Sequence, residues 1–114
     1  MTDFDADRLG EYRDMLGSAA LNRLWREFSA DTEKFFASAA GLKREELRLK
    51  FHNLRAGALV FGLRAFSASC AVLEEAVMKE ISAADLAAEI KTAQKTFANQ
   101  SAEVDAFLDR KSVV

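Results

Sequence analysis

The sequence predicts an all-α fold, an antiparallel up-down-up-down four-helix bundle with a short additional helix at the N terminus. Three observations support this prediction. The 114 residues include no proline, half are hydrophobic and 30% are charged, a composition typical of helical proteins. Apolar residues recur at steps of three and four, which is the helical period. Glycines separate these periodic segments, and short connections make consecutive helices antiparallel neighbours.

Five helices are predicted, each covering one segment in which apolar residues recur at the helical spacing. Their bounds are residues 5–16, 18–40, 43–61, 63–79 and 82–109. The glycines Gly17, Gly41 and Gly62 fall between periods and are expected to end helices. Ser18 is the predicted N-cap of the second helix. A chain of this length buries one core, so residues 1–114 are predicted to form a single domain.

The last three predicted helices show the clearest periodicity. The last helix begins at Ser82, and Asp85 follows it at the spacing of a capping box. The third helix has the apolar stripe Leu47, Phe51, Leu54, Ala58 and Phe61, and the fourth has Phe66, Cys70, Leu73 and Val77. Cys70 is therefore expected to fill the core. One cysteine and one histidine do not make a zinc site of the usual kind, so no metal is expected.

Several locations and partners are disfavoured by the sequence. The acidic N terminus does not look like a secretory signal, and no apolar run approaches the ~20 residues that span a bilayer. We therefore expect a cytoplasmic protein without membrane contact. Residues 42–64 carry net charge +4 in a chain of net charge −2, so the remainder carries −6. The chain is acidic overall and no aromatic side chain is expected to project near the basic patch for base stacking, so nucleic acid is not an expected partner.

The basic segment contains His52, the single histidine of the chain. A helical projection places His52 about 140° from the centre of the apolar stripe, so its imidazole should face solvent. Arg48 and Arg55 project from the same face. Exposed residues around them form a predicted docking surface, namely Leu49, Ala56, Leu59 and Val60. An ordinary surface histidine would give the same projection.

The segment "HNLRAGALVFGL" resembles the signature of histidine-containing phosphotransfer (HPt) domains. In that family the histidine is followed by a hydrophobic residue at +2, a basic residue at +3, small residues at +4 and +5, and a glycine at +10. The matching residues are His52, Leu54, Arg55, Ala56, Gly57 and Gly62. The family most often has Lys-Gly where this chain has Arg55-Ala56. Arginine still supplies a cation for a phosphoryl group.

The resemblance implies a phosphorelay protein. His52 would accept a phosphoryl group from the aspartate of a response regulator receiver domain and pass it to another receiver domain. Arg55 and Arg48 would support the phosphoryl group, while Gly57 and Gly62 would serve helix packing. The expected partners are receiver domains and a hybrid histidine kinase. Mg²⁺ would be bound by the receiver, and this chain would need no cofactor. It would act as a monomeric carrier rather than as a stand-alone enzyme.

Two alternatives remain open from the sequence. The first is a helical adaptor or dimerisation module, including a degenerate HPt domain that binds receivers without accepting phosphate. The second is the phosphoacceptor helix pair of a histidine kinase. The motif of that helix pair has a proline where this chain has Gly57.

Overall fold

The computed structural model describes residues 4–112, with side chains as far as Asp109. This part of the chain is mostly helical and contains no strand, which confirms the predicted all-α class. The helices are α1 (Ala6–Leu16), α2 (Ser18–Ser38), α3 (Arg44–Val60), α4 (Arg64–Ala76) and α5 (Ala83–Ser112). A single 3₁₀ turn, Ala39–Gly41, lies between α2 and α3. No helix among the described residues is both long and apolar enough to cross a membrane.

The junction between α1 and α2 consists of one residue, Gly17. Its φ of 87° lies in the left-handed region that glycine adopts readily. Its backbone N–H donates to the Arg13 carbonyl at 2.8 Å and ends α1. The same residue is the N-cap of α2, so Ser18 is the first helical residue. The predicted Ser18 cap is therefore wrong, because Gly17 reverses the chain without a further connecting residue.

The end of α3 forms a Schellman motif at Gly62. The Gly62 N–H donates to the Leu59 carbonyl at 3.2 Å, and the Leu63 N–H donates to the Ala58 carbonyl at 2.9 Å. Gly62 has a φ of 77°. The Asp5 N–H donates to the Gly62 carbonyl at 2.8 Å, and a Cβ at Gly62 would collide with the Asp5 carbonyl oxygen. Glycine is therefore required here by both conformation and contact.

The other end of the α3 and α4 pair is held by Arg44, the first residue of α3. Its guanidinium donates to the Lys79 carbonyl at 3.0 Å and to the Ile81 carbonyl at 2.5 Å. α4 itself ends at Ala76, before the predicted residue 79. The predicted N-cap of α5 is present, because the Ser82 Oγ accepts from the Asp85 N–H at 3.0 Å.

Aromatic rings from α2 to α5 meet in one core. Phe35 of α2 packs edge-on against Phe51 of α3, with ring centroids 5.2 Å apart. Phe66 of α4 packs against Phe97 of α5 at 4.9 Å. The core also includes Leu9 of α1, and Cys70 is fully buried in it. Burial of a Phe ring of this kind contributes about 3–5 kcal/mol to stability relative to alanine.

Two polar side chains accept hydrogen bonds from N–H groups at the edge of this core. The Trp25 Nε1–H donates to the Asp105 carboxylate at 2.9 Å and joins α2 to α5. The Phe66 N–H in the first turn of α4 donates to the Gln100 side-chain oxygen at 2.9 Å. Helix N-termini leave such N–H groups without a partner in their own helix. Gln100 therefore fixes the start of α4 against α5.

Candidate functional site

His52 lies near the middle of α3, on the side opposite the buried stripe of that helix. Its side chain is 50% exposed, whereas its neighbour Phe51 is fully buried. The stripe packs into the core and fixes how α3 is rotated about its axis. The imidazole is therefore accessible to a partner while its backbone is held rigidly.

The imidazole is bound by a carboxylate of the next helix. His52 Nδ1 lies 2.8 Å from Oε1 of Glu74, which belongs to α4 and is 18% exposed. An ionised carboxylate accepts hydrogen bonds only, so Nδ1 carries the proton and donates it. In the neutral imidazole the other nitrogen, Nε2, then keeps its lone pair. Glu74 thus selects one tautomer and one orientation of the ring.

Nε2 is the free nitrogen of this ring. Within residues 4–112, Nε2 makes no hydrogen bond. Nδ1 points towards Glu74 on α4, so Nε2, on the other side of the ring, is directed away from α4. A nucleophilic lone pair is therefore presented to solvent.

Arg55 is the cation closest to the imidazole. Its Nη2 lies 3.5 Å from His52 Nδ1, and its Nη1 lies 3.5 Å from Glu74 Oε2. Since Nδ1 already carries a proton for Glu74, it offers no acceptor to Arg55. Arg55 is 41% exposed, and ion pairs this open contribute little to stability. Arg55 is therefore loosely held beside the site.

The second oxygen of Glu74 is in an unusual position for a carboxylate. Oε2 is buried and has no hydrogen-bond partner among the described residues. The guanidinium of Arg55 is its ion-pair partner in that part of the chain. A buried carboxylate oxygen normally needs a donor or a cation. The side chains of His52, Glu74 and Arg55 therefore interact electrostatically as one cluster.

Arg48 occupies a different place from Arg55. It lines an open groove of about 450 Å³ between α3 and α4, together with Arg55, Glu74, Met78 and Lys79. Arg48 makes no hydrogen bond or ion pair with His52 in the described structure. The two predicted phosphoryl-supporting residues are thus separated: Arg55 contacts the imidazole, and Arg48 lies in the groove beside it.

The predicted docking residues lie on and beside the exposed ridge of α3. Leu49 and Leu59 are 55% and 44% exposed, and Ala56 is also exposed. Val60 is half-buried and packs against the core. At 100° per residue, Leu49, Ala56 and Val60 lie on one side of His52 and the arginines lie on the other. The surface therefore has an apolar flank towards α2 and a basic flank towards α4.

Gly57 lies where α3 packs against the Phe28 ring of α2. A Cβ built at Gly57 would lie 2.6 Å from Cε1 of the Phe28 ring. The Phe28 ring also packs against Phe61, with centroids 5.2 Å apart. Gly57 therefore admits the ring of Phe28, whereas its neighbour Ala56 projects outwards.

Glu74 is a site residue that was not predicted from the sequence. His52 precedes Gly62 by roughly as many residues as Glu74 follows it. In an antiparallel pair of helices, residues at similar distances before and after the turn come into contact. Ser67 Oγ, for example, donates to the Arg55 carbonyl at 3.1 Å, nearer the turn. Pairing α3 with α4 about Gly62 is the signal that would have indicated Glu74.

Cys70 lies beneath this site and is not a second nucleophile. Burial raises the pKa of its thiol to about 12; Arg55 lowers it and Glu74 raises it to smaller extents. The thiolate, which is the reactive form, is therefore scarce near neutral pH. Of the Cys70 and His52 side chains, only the His52 imidazole is exposed.

No family model, curated protein or solved structure matches this chain. Within the described residues, no three His, Cys, Asp or Glu side chains form a group that could hold a metal ion. The function is therefore inferred from the geometry around His52.

Proposed function

We propose that this chain is a histidine phosphotransfer protein of a phosphorelay. His52 accepts a phosphoryl group from the aspartyl phosphate of a receiver domain and passes it to another receiver domain. The observation that carries this proposal is the anchored imidazole: Nδ1 is bound to Glu74 at 2.8 Å, while Nε2 is free on a half-exposed side chain. The proposal includes an antiparallel four-helix bundle formed by α2 to α5, with α1 as the additional helix.

The transfer step uses the lone pair of His52 Nε2. This lone pair attacks phosphorus in line, the Nε2–P bond forms, and the P–O bond to the receiver aspartate breaks to leave a carboxylate. The imidazole ring becomes positively charged, and the Nδ1–H donates to Glu74 throughout. A negative carboxylate at 2.8 Å stabilises this developing charge. Mg²⁺ bound by the receiver would neutralise the phosphoryl oxygens.

The basic flank supports the incoming phosphoryl group. Arg55 is close enough to the ring to approach oxygens bound at Nε2, and Arg48 contributes charge from the groove. The net charge of +4 in residues 42–64 would attract the acidic pocket of a receiver, with a rate that falls as salt increases. We expect Arg55→Ala to slow transfer less than loss of His52.

The apolar flank provides the docking contact. Because Nε2 is directed away from α4, the receiver approaches over Ala56, with Leu49, Leu59 and the exposed part of Val60 around it. The small side chain of Ala56 leaves the path to Nε2 open. A single open surface of this kind suits a transient partner of a cytoplasmic monomer, with a hybrid histidine kinase at the start of the relay.

Transfer from a phosphorylated receiver tests the proposal. The protein is mixed with receiver domains of the source cell, each phosphorylated in the presence of Mg²⁺, and the label on this chain is examined. We expect an acid-labile, base-stable phosphate that is lost in His52→Gln and retained in Asn53→Ala, a variant of the exposed neighbouring residue. Persistence of the label in His52→Gln would refute the proposal. Transfer from no receiver would also refute it and would favour an adaptor.

A further inference from the structure

Arg55 and Arg44 are both on α3, but the structure holds them very differently. Arg44 donates to two backbone carbonyls at 3.0 and 2.5 Å, which fixes its guanidinium. The contacts of Arg55 with Glu74 Oε2 and His52 Nδ1 are both at 3.5 Å. Neither is a short charge-assisted hydrogen bond, for which about 2.7–2.9 Å is typical. As hydrogen bonds, these two contacts therefore hold Arg55 only weakly.

Glu74 restricts how Arg55 can leave. Its Oε2 is buried without a hydrogen bond in the described structure and has Arg55 as its ion-pair partner there. Removing that cation alone would leave the buried Oε2 oxygen without a charged partner, which is unfavourable. Arg55 is therefore expected to leave only when another positive charge replaces it beside Glu74.

Phosphorylation of His52 supplies that replacement. When Nε2 forms its bond to phosphorus, the ring keeps the Nδ1 proton and becomes positive next to Glu74. At the same moment a dianionic group arrives at the ring beside Arg55. The ion pair between Arg55 and Glu74 is thus replaced by two ion pairs. In one, the positive ring binds Glu74; in the other, Arg55 binds the phosphoryl oxygens. Each buried or arriving charge keeps a partner in both states.

We propose that Arg55 exchanges partners, binding Glu74 before transfer and the phosphoryl group afterwards, so that Glu74 controls how strongly Arg55 stabilises the phosphohistidine. This inference rests on the proposed function. Its consequence is energetic coupling between Arg55 and Glu74 in the phosphorylated protein. A Glu74→Gln variant keeps a hydrogen-bond acceptor for Nδ1 but no longer competes for the guanidinium, so Arg55 should matter more in that background.

The test uses the full chain, phosphoramidate as the phosphoryl donor, and NMR. ³¹P spectra identify the phosphohistidine and give its half-life, and ¹⁵N spectra follow the Arg55 side chain. We expect the Arg55 resonance to move on phosphorylation, and to differ from its wild-type position in unphosphorylated Glu74→Gln, where its carboxylate partner is absent. Arg55→Gln should shorten the half-life, and by about two- to fivefold more in the Glu74→Gln background, as expected for a partly exposed ion pair. Glu75→Gln is the matched control, since Glu75 is the exposed neighbour of Glu74.

The outcomes separate the two proposals. Absence of phosphohistidine on the wild-type protein would overturn the proposed function and this inference with it. A phosphohistidine with an unmoved Arg55 resonance would overturn the exchange alone. Strictly additive effects of Arg55→Gln and Glu74→Gln on the half-life would also overturn the exchange alone. Circular dichroism of each variant shows whether the helices are intact.

Discussion

Replacing Gly57 with alanine tests how closely α2 approaches α3. The added Cβ would lie 2.6 Å from Cε1 of Phe28, well inside the ~3.5–4.0 Å at which carbon atoms pack. The Phe28 ring cannot move freely, because Trp25 and Phe61 pack against it at 6.1 and 5.2 Å. Overpacking of this kind costs about 1–3 kcal/mol, and alanine regains about 1 kcal/mol of helix propensity. We expect a net loss of about 1 kcal/mol.

Thermal and urea unfolding followed by circular dichroism measure this loss. A change of about 1 kcal/mol corresponds to a melting temperature about 4 °C lower in a domain of this size. The control is Ala56→Leu at the adjacent exposed position, which should change stability by less than about 0.5 kcal/mol while blocking transfer to His52. A Gly57→Ala variant more stable than the wild type would refute the close approach. Unchanged transfer in Ala56→Leu would refute docking over that residue.

Three further predictions concern the anchored imidazole, the turn and the buried thiol. Glu74→Gln replaces a charged acceptor by a neutral one and should slow phosphoryl transfer about tenfold, with Glu75→Gln unchanged in the same assay. Gly62→Ala, at a φ of 77° and against the backbone of the N-terminal segment, should lower the free energy of unfolding by at least ~2 kcal/mol, measured in urea. Burial raises the pKa of Cys70 to about 12, so unfolding ionises this thiol and stability should fall as pH rises from about 9 to 12. A thiol reagent at pH 8 should accordingly label Cys70 only slowly until denaturant is added.

Features governed by local chain chemistry could be predicted from the sequence. The apolar period and the absence of proline predicted the all-α class, and the stripe containing Cys70 predicted its burial. Gly62 ends α3 because the Schellman motif at this end needs a left-handed residue, and glycine adopts that conformation most readily. The Ser18 cap was predicted wrongly. Serine is a common N-cap, but Gly17 alone completes the reversal between α1 and α2 and takes that position.

The candidate site was only half predictable, because one half of it comes from another helix. A projection of α3 shows which of its residues face solvent, and His52 and Arg55 follow from it. The same projection contains no information about the side chain that crosses from α4. Glu74 follows the buried Leu73 in the sequence. The sequence of α4 alone therefore indicates only a residue at the edge of an apolar stripe. Its role depends on the register of α4 against α3, which is a tertiary property.

That register is set at both ends of the α3 and α4 pair, far from the imidazole. At one end the Schellman motif at Gly62 sets where α4 begins, and the Asp5 N–H bound to the Gly62 carbonyl holds the turn. At the other end Arg44 binds the carbonyls of Lys79 and Ile81. A pair of helices fixed at both ends cannot slide by one turn without breaking one of these contacts. The register of the two helices therefore keeps His52 and Glu74 at 2.8 Å, and the hydrogen bond between them need not be strong. The loosely held Arg55 is left as the part of the site that can respond when charge arrives.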